Sequence, residues 1–552
     1  MKLLLFEPFI WNDINDYPDL GSAMLVGACK RRFIDVRLLP TQRMCLDWFF
    51  NNTEDISELL SRKQTKAIRN SIKHISSLYT KGKFQSFCSL GVLYNKLTIK
   101  NSANFLDTKS LAEAVTLFRE ITALNEFFLL QEDYSVPIIR RLVESISKEN
   151  PDYIGLSFYS FSPFNLAICK ALHDIIKKPI IAGGSATNHL SFKGIQELIP
   201  KECIDYLIIG PGEKSLPELI VDLEDGRQIK NKGGVLNFRY GLAGIGESIK
   251  DTMPITSLDE LALPDFSMSQ VDRYCTPVVL LPLQFARGCS WRRCTFCTHH
   301  NGYFNEYKSF SKERIIETLV YYKKEYGCTY IVLHDEEVPA GRLESICNEL
   351  LKRDLTDFKF LVYARPVEKF NDEKRLSIIK RAGVVSFNWG VESGSQNILS
   401  RIRKGTKVVA INKILKLTKK MGFSNTCWII SGIPEERTND MEATIRFIEA
   451  NIKNVDLWLV SPFSLQKGSI MDRYLKRLGI SVVSTGSNLR NSYEEIEYNR
   501  HLSGKVLQRY RNIIQNKIHF KIRLIAGGYI KLPFSNRSRI VPFLLRANED
   551  IF

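Results

Sequence analysis

Between Val278 and Asn451 the sequence keeps repeating one rhythm, a short apolar run followed by a longer segment with apolar residues at helical spacing. The short runs lie at Val278–Leu283, Tyr330–Leu333, Phe358–Tyr363, Val385–Trp389 and Thr426–Ile430, and a last one follows at Leu457–Val460. Helical patterns occupy Lys312–Tyr326, Arg342–Lys352, Asp372–Ala382, Ser395–Arg401, Val408–Met421 and Asp440–Asn451. Strands that alternate with helices run parallel, because each helix carries the chain back to the edge it started from. Six such strands with no sign of a reversal in order predict an open or partial barrel, with its chemistry at the strand carboxyl ends.

Directly after the first run comes Phe285-Ala286-Arg287-Gly288-Cys289-Ser290-Trp291-Arg292-Arg293-Cys294-Thr295-Phe296-Cys297. Cys289, Cys294 and Cys297 share one loop, so a single soft-metal centre can take all three thiolates. Thiolates select zinc or iron–sulfur clusters, and both centres want four ligands. A zinc site would recruit His299 or His300. A [4Fe–4S] cluster without a fourth protein ligand would keep one iron open for a small molecule, which is a catalytic arrangement. Local spacing leaves both readings open.

A second alternating region opens the chain. Lys2–Phe6, Asp35–Leu39, Tyr153–Tyr159, Pro179–Ala182 and Tyr206–Ile209 read as strands, with helices at Gly21–Lys30, Asn165–Ile176, around Ile195 and at Leu216–Leu223. Glycines follow the strand ends at Gly183, Gly184, Gly210 and Gly212, the last two in the turn Gly210-Pro211-Gly212-Glu213. This pattern predicts a doubly wound parallel sheet with a ligand over its carboxyl ends. Residues 41–149 are too long for a loop and read as an inserted, mostly helical subdomain with a basic run from Arg62 to Lys83. The expected domains are residues 1–232, a glycine-punctuated linker at 233–276, the barrel at 277–478 and a basic segment at 479–552. In that last segment Arg500, Lys505, Arg509, Arg511, Lys517 and Lys521 interleave with Tyr510 and Phe520, and no Asp or Glu occurs between Tyr498 and Asn548. Such a segment suits contact with an anionic membrane surface, an acidic peptide or a nucleic-acid backbone.

Of the twelve cysteines, nine are scattered singly, which gives no disulfide framework. Met1-Lys2-Leu3-Leu4-Leu5-Phe6 runs into Glu7-Pro8, as a first buried strand does and a secretory signal does not, so the expected compartment is the cytoplasm. The formal net charge of +17 fits either acidic partners or a Lys-rich composition.

Taken together, the three-cysteine loop after the first strand of a six-unit barrel resembles the radical S-adenosylmethionine (SAM) enzymes. The sheet before it resembles the cobalamin-binding domain of the class B methyltransferases and their peptide-maturing relatives. Leu263-Pro264-Asp265-Phe266 is similar to the proline element before the barrel in that group. The resemblance implies a [4Fe–4S] cluster on Cys289, Cys294 and Cys297. It implies SAM contacts from Phe296, Asp335, Glu336, Glu392, Gly432 and Pro434, and cobalamin contacts from Ser157, Gly183, Gly184, Gly210, Gly212 and Glu213. The spacing C-x4-C-x2-C is one residue longer than the family's C-x3-C-x2-C, and no cobalt-ligating histidine motif follows the first strand, where Pro8-Phe9-Ile10-Trp11-Asn12-Asp13 stands. The implied activity is cobalamin-dependent C-methylation of a small-molecule or peptide substrate through a 5′-deoxyadenosyl radical, with rearrangement or cyclisation as the alternative. An electron donor such as flavodoxin or ferredoxin is implied as partner. A zinc-stabilised nucleic-acid-binding protein is the rival of a different class, and the resemblance disfavours it.

Overall fold

The structure is a computed structural model that describes residues 2–6, 17–40, 137–158, 163–189, 202–231, 234–240, 255–271, 278–298, 306–484 and 495–498. Most of the expected helical insertion, the loop Pro8–Asp13, His299, His300 and nearly all of the basic C-terminal segment lie outside the described residues. The chain divides into two compact units, one ending at Pro277 and the other beginning at Val278 in the order of these elements.

The first unit is a six-stranded sheet of order β2-β1-β3-β4-β5-β6. Its strands are β1 (Lys2–Phe6), β2 (Asp35–Leu39), β3 (Tyr153–Ser157), β4 (Ile180–Gly183), β5 (Tyr206–Ile208) and β6 (Val235–Asn237). The first five are parallel, and β6 runs antiparallel to β5. Leu3, Leu4, Leu5 and Phe6 are all buried, as befits a central parallel strand covered on both faces. The strand order reverses between β1 and β3, which marks the crevice where doubly wound sheets take their ligands. The expected linker is corrected here. Its residues Val235–Asn237 complete the sheet as β6, a strand too short to register in a sequence broken by Gly233, Gly234 and Gly241.

Helix α1 (Leu20–Arg31) is capped by Asp19, whose carboxylate accepts from Ser22 N at 2.6 Å. A Cβ on Gly27 would lie 2.1 Å from the Leu263 carbonyl, so this glycine lets the Leu263-Pro264-Asp265-Phe266 segment lie directly on the helix. Asp265 N donates to Ala23 O at 2.9 Å, and Lys30 Nζ meets Asp265 Oδ2 at 2.7 Å. Helices α2 (Pro137–Glu149), α3 (Pro163–Ile176) and α4 (Gly212–Glu224) complete this unit. Gly212 and Glu213 belong to the first turn of α4 and not to the turn before it, because Pro211 caps the helix from extended backbone.

The second unit is built on a six-stranded, wholly parallel sheet in which each strand lies beside its successor. In chain order these strands are β7 (Leu280–Leu283), β10 (Tyr330–Leu333), β11 (Lys359–Ala364), β12 (Val384–Glu392), β13 (Ser424–Ser431) and β14 (Leu457–Pro462). The short β8 (Ala286–Arg287) and β9 (Lys308–Ser309) pair antiparallel beside it, as do β15 (Ile480–Ser484) and β16 (Glu495–Tyr498). Between the strands run α5 (Lys312–Tyr326), α6 (Ala340–Lys352), α7 (Glu373–Arg381), α8 (Gln396–Arg401), α9 (Val408–Lys420) and α10 (Thr438–Ala450). Ser311, Asp372 and Ser395 start their helices by accepting a backbone N–H in the first turn, and Gly327 ends α5 at φ +61°.

Strand β12 shows which way the sheet faces. Phe387 and Trp389 stack at 4.5 Å between ring centroids and meet Phe370 and Phe423 on the helix side. Strict alternation then turns Ser386, Asn388 and Gly390 to the opposite, lumenal face.

Candidate functional site

The cysteine loop leaves β7 under tight backbone control. Asp335, at the carboxyl end of β10, accepts from Ala286 N through Oδ1 at 2.7 Å and from Phe285 N through Oδ2 at 2.9 Å. Burial pushes its carboxyl up to about 8 against the pull of those two amides. Gly288 follows at φ +80°, and a Cβ there would lie 2.5 Å from the Glu306 carbonyl, so only glycine passes this point.

Within the loop Trp291 is the anchor. Its indole N–H donates to Arg403 O at 2.7 Å, and the Arg365 guanidinium lies 4.2 Å from the ring centroid. Gly405, at φ +71°, leaves the ring its space, since a Cβ there would come within 2.2 Å of the indole. Thr295 N donates to Ile402 O at 3.0 Å, Thr295 O accepts from Met471 N at 2.8 Å, and Ser290 Oγ donates to Glu337 Oε2 at 2.5 Å. Between Cys289 and Cys294, Arg292 takes a left-handed conformation, φ +53°.

Cys289, Cys294 and Cys297 are free and half-buried. As placed, no three Cys, His, Asp or Glu side chains among the described residues converge as metal ligands. Burial raises the Cys294 thiol, which the Lys404 ammonium opposes and the Glu392 carboxylate reinforces.

Lys404 is the residue that sequence reasoning missed. Its ammonium meets Glu392 Oε1 at 2.7 Å, with only 10% and 11% of the two side chains exposed. Burial works against its charge, but Glu392 and the thiols of Cys294 and Cys297 outweigh it and hold Lys404 above the ordinary lysine range. Glu392 closes β12 at φ +70°, after a register shift against β13 between Gly390 and Glu392. A Cβ on Gly390 would lie 2.8 Å from Lys404 Nζ and 2.9 Å from Glu392 Oε1, so this glycine makes room for the pair on the lumenal side of the strand.

After β13, Gly432 turns at φ +79°, and its N–H donates to Glu436 Oε2 at 2.7 Å. Burial raises Glu436 to about 7, with the backbone amides of Gly432 and Ile433 pulling the other way. Glu435 holds φ +66° and pairs with Arg401 Nη1 at 2.6 Å, beside Pro434. Phe296 is half-buried between Thr295 and Cys297. Glu336 points one buried carboxylate oxygen, Oε2, at no hydrogen-bond partner. Asp335, expected among the SAM contacts, accepts a backbone amide at the exit of β7 through each oxygen.

Residues 283–448 match the radical SAM superfamily. This stretch is a radical SAM domain. Its radical SAM residues span the cysteine loop, the Glu392–Lys404 pair and the Gly432 turn. Among curated proteins the chain is 28% identical over 333 residues to an uncharacterized methyltransferase of Pyrococcus horikoshii, covering 58% of this chain and 70% of that one. It is 25% identical over 340 residues to the anaerobic magnesium-protoporphyrin IX monomethyl ester cyclase of Rubrivivax gelatinosus, and it spans 59% of that relative's length and 58% of its own. Among solved structures it shares its fold with the radical SAM methyltransferase TsrM of Kitasatospora setae, at TM-score 0.56 and 14% identity over 97% of this chain and 91% of that one. The cobalamin-dependent radical SAM enzyme OxsB gives TM-score 0.53 and 18% identity over 68% of this chain and 59% of that chain. The chain thus has the expected α/β architecture, a doubly wound sheet followed by a six-stranded parallel sheet.

In the first unit the expected cobalamin residues gather at the carboxyl ends of β3, β4 and β5. Ser157 pairs in register with Gly183, and Gly184 at φ +100° brings its Cα so close to Phe158 that a Cβ would lie 2.6 Å from the Phe158 carbonyl. Thr187 Oγ1 fixes this turn by donating to Gly184 O at 2.8 Å. Gly210, at φ +82°, and Gly212 lead into α4, with Glu213 in its first turn.

Proposed function

We propose that this protein is a cobalamin-dependent radical SAM C-methyltransferase acting on an unactivated carbon of a peptide or other natural product. The observation that carries the reading is the half-buried three-cysteine loop held beside the buried Glu392–Lys404 pair at the carboxyl ends of the radical SAM strands. Three thiols with no fourth ligand among the described residues suit a cluster with one open iron. Bound there, such a cluster would supply the electron that cleaves SAM to a hydrogen-abstracting radical, and cobalamin held by the first unit would supply the methyl group. Asp335 and Trp291 hold the loop in place. Glu392 and Glu336 offer acceptors to the SAM hydroxyl and amino groups, Phe296 offers its ring to the adenine, and Lys404 offers an ammonium to a carboxylate. The turn Gly432-Ile433-Pro434 offers backbone to the adenine. Ser157, Gly183, Gly184, Gly210, Gly212 and Glu213 would line the corrin, which needs close backbone approach.

The methyltransferase-named relative favours methyl transfer, and the two cyclase-named relatives keep ring closure as the second reading. A low-potential donor of the flavodoxin or ferredoxin kind and a cytoplasmic setting complete the proposal. No helix among the described residues is long and apolar enough to cross a membrane. Protein reconstituted with iron, sulfide and cobalamin is incubated with methyl-labelled SAM and cell extract. Label in a stable carbon-bound product supports the reading, whereas an unlabelled product with a new ring, formed together with 5′-deoxyadenosine, supports the cyclase chemistry.

A further inference from the structure

The two faces of the sheet treat their polar side chains in opposite ways. On the helix side, Asn425 of β13 has every group engaged: Oδ1 accepts from Trp389 Nε1 at 2.9 Å and from Thr418 Oγ1 at 3.0 Å, and Nδ2 donates to Asn454 O at 2.8 Å and to Leu415 O at 3.4 Å. On the lumenal side, Asn388 of β12 is 1% exposed, and neither Oδ1 nor Nδ2 has a partner among the described residues. Its register neighbour on β13, Thr426, is 0% exposed with an unpaired hydroxyl, and Ser386, paired with Ser424 one step deeper, repeats the pattern on both strands. A carboxamide buried with both atoms unsatisfied works against folding, and a leucine of similar volume would not. The stripe therefore offers hydrogen-bonding capacity that no described residue takes up.

What suits it follows from its place and chemistry. Gly390, two residues above Asn388 on the same face, is the residue whose missing Cβ admits the Glu392–Lys404 pair. Asn388 therefore stands roughly 7 Å below the level of the pair, from a strand rise of about 3.3 Å per residue. Its carboxamide presents a donor and an acceptor side by side. The complement is a group that presents an acceptor and a donor in the same way, such as a carboxamide, a lactam or the amide edge of a heterocycle. Asn388, Thr426, Ser386 and Ser424 bring no charge, which suits a neutral group and disfavours a carboxylate or phosphate.

We propose that Asn388 and Thr426 form a substrate-positioning subsite in the barrel lumen that binds the amide edge of the substrate below the reacting centre. The assignment rests on the radical SAM reading of the Glu392–Lys404 end and adds the chemical class of the group the lumen receives.

The test uses the full-length reconstituted protein and the cis-amide probe 2-pyrrolidinone, with cyclopentanone as the acceptor-only control. Affinities are read by saturation-transfer NMR with and without SAM, and SAM affinity is read separately by calorimetry. The isosteric variants Asn388→Leu and Thr426→Val keep the volume and remove the hydrogen-bonding groups. Asn388→Leu is expected to weaken 2-pyrrolidinone at least tenfold while cyclopentanone and SAM bind as before, and to melt no lower than the wild type. Equal lactam affinity in wild type and Asn388→Leu, or lactam binding by neither, overturns the subsite. A lower melting temperature with unchanged lactam binding also overturns it, by making Asn388 a structural residue. Failure of SAM to bind the wild-type protein would instead count against the proposed function, whatever the lactam does.

Discussion

Replacing Lys404 by methionine tests the electrostatic core of the site. The ammonium sits 2.7 Å from Glu392, and both side chains are about nine-tenths buried. Removing one partner of such a pair costs about 3–5 kcal/mol, because the other charge is left without compensation in a medium that solvates it poorly. For a domain of this size each kcal/mol moves the midpoint by about 2–4 °C, so Lys404→Met is expected to melt roughly 10 °C lower. Four of the six tryptophans, Trp291, Trp389, Trp428 and Trp458, lie in the second unit, so intrinsic fluorescence follows its unfolding. The double variant Lys404→Met with Glu392→Gln removes both charges and is expected to recover at least half of the loss, since a neutral amide is far cheaper to bury than a carboxylate. A single variant within about 1 kcal/mol of wild type would refute the pairing, because that is what an exposed ion pair gives. A double variant no better than the single would show that the loss comes from packing.

Gly288→Ala forces a Cβ to within 2.5 Å of the Glu306 carbonyl at φ +80°, and iron bound after anaerobic reconstitution is expected to fall by more than half, as measured by colorimetric iron assay. In the first unit Gly27→Ala drives α1 off the Leu263 carbonyl and is expected to cost about 2–4 kcal/mol, read as a lower midpoint in urea. Glu436 carries a carboxyl raised to about 7, above its unfolded value, so its stabilisation is complete below the unfolded pKa and lost as pH rises through about 7. The midpoint should therefore fall between pH 5 and pH 8, and Glu436→Gln should flatten that fall; an unchanged slope would remove Glu436 as its source.

The parts of the site that the sequence made visible are those whose chemistry is local. Three cysteines within nine residues of one loop can be read without knowing any tertiary contact, and so can a glycine–proline turn after an apolar run. Lys404 could not be read this way. It stands among Arg401, Arg403 and Lys407, where a charge run means a solvated surface, and only the register shift before Glu392 gives one of these cations a buried partner. Strand β12 was legible only as far as Trp389, because Gly390 breaks a strand pattern for a reason that lies fourteen residues downstream, in Lys404. Asn388 and Asn425 look alike in sequence; alternation separates them only after Trp389 has been assigned to the helix side.

Asp335 and Glu336, adjacent carboxylates at one strand end, are expected to divide two tasks, and the division can be tested. Sequence position nominates both for SAM, yet Asp335 accepts the Phe285 and Ala286 amides at 2.9 and 2.7 Å, whereas Glu336 keeps a buried oxygen without a partner. Asp335→Asn can still accept one of those amides, but its NH2 opposes the other, leaving a buried donor unsatisfied at a cost of about 1–3 kcal/mol. The loop that carries Cys289 begins three residues after Ala286, so this variant is expected to lose iron and melting temperature together. Glu336→Gln touches no backbone group and is expected to keep both, while weakening SAM about tenfold, the loss of one charge-assisted hydrogen bond worth roughly 1.4 kcal/mol. Calorimetric SAM titration of the two reconstituted variants decides between these tasks. If Asp335→Asn keeps its iron and loses SAM while Glu336→Gln binds SAM normally, Asp335 is the SAM contact and the clamp on β7 is incidental.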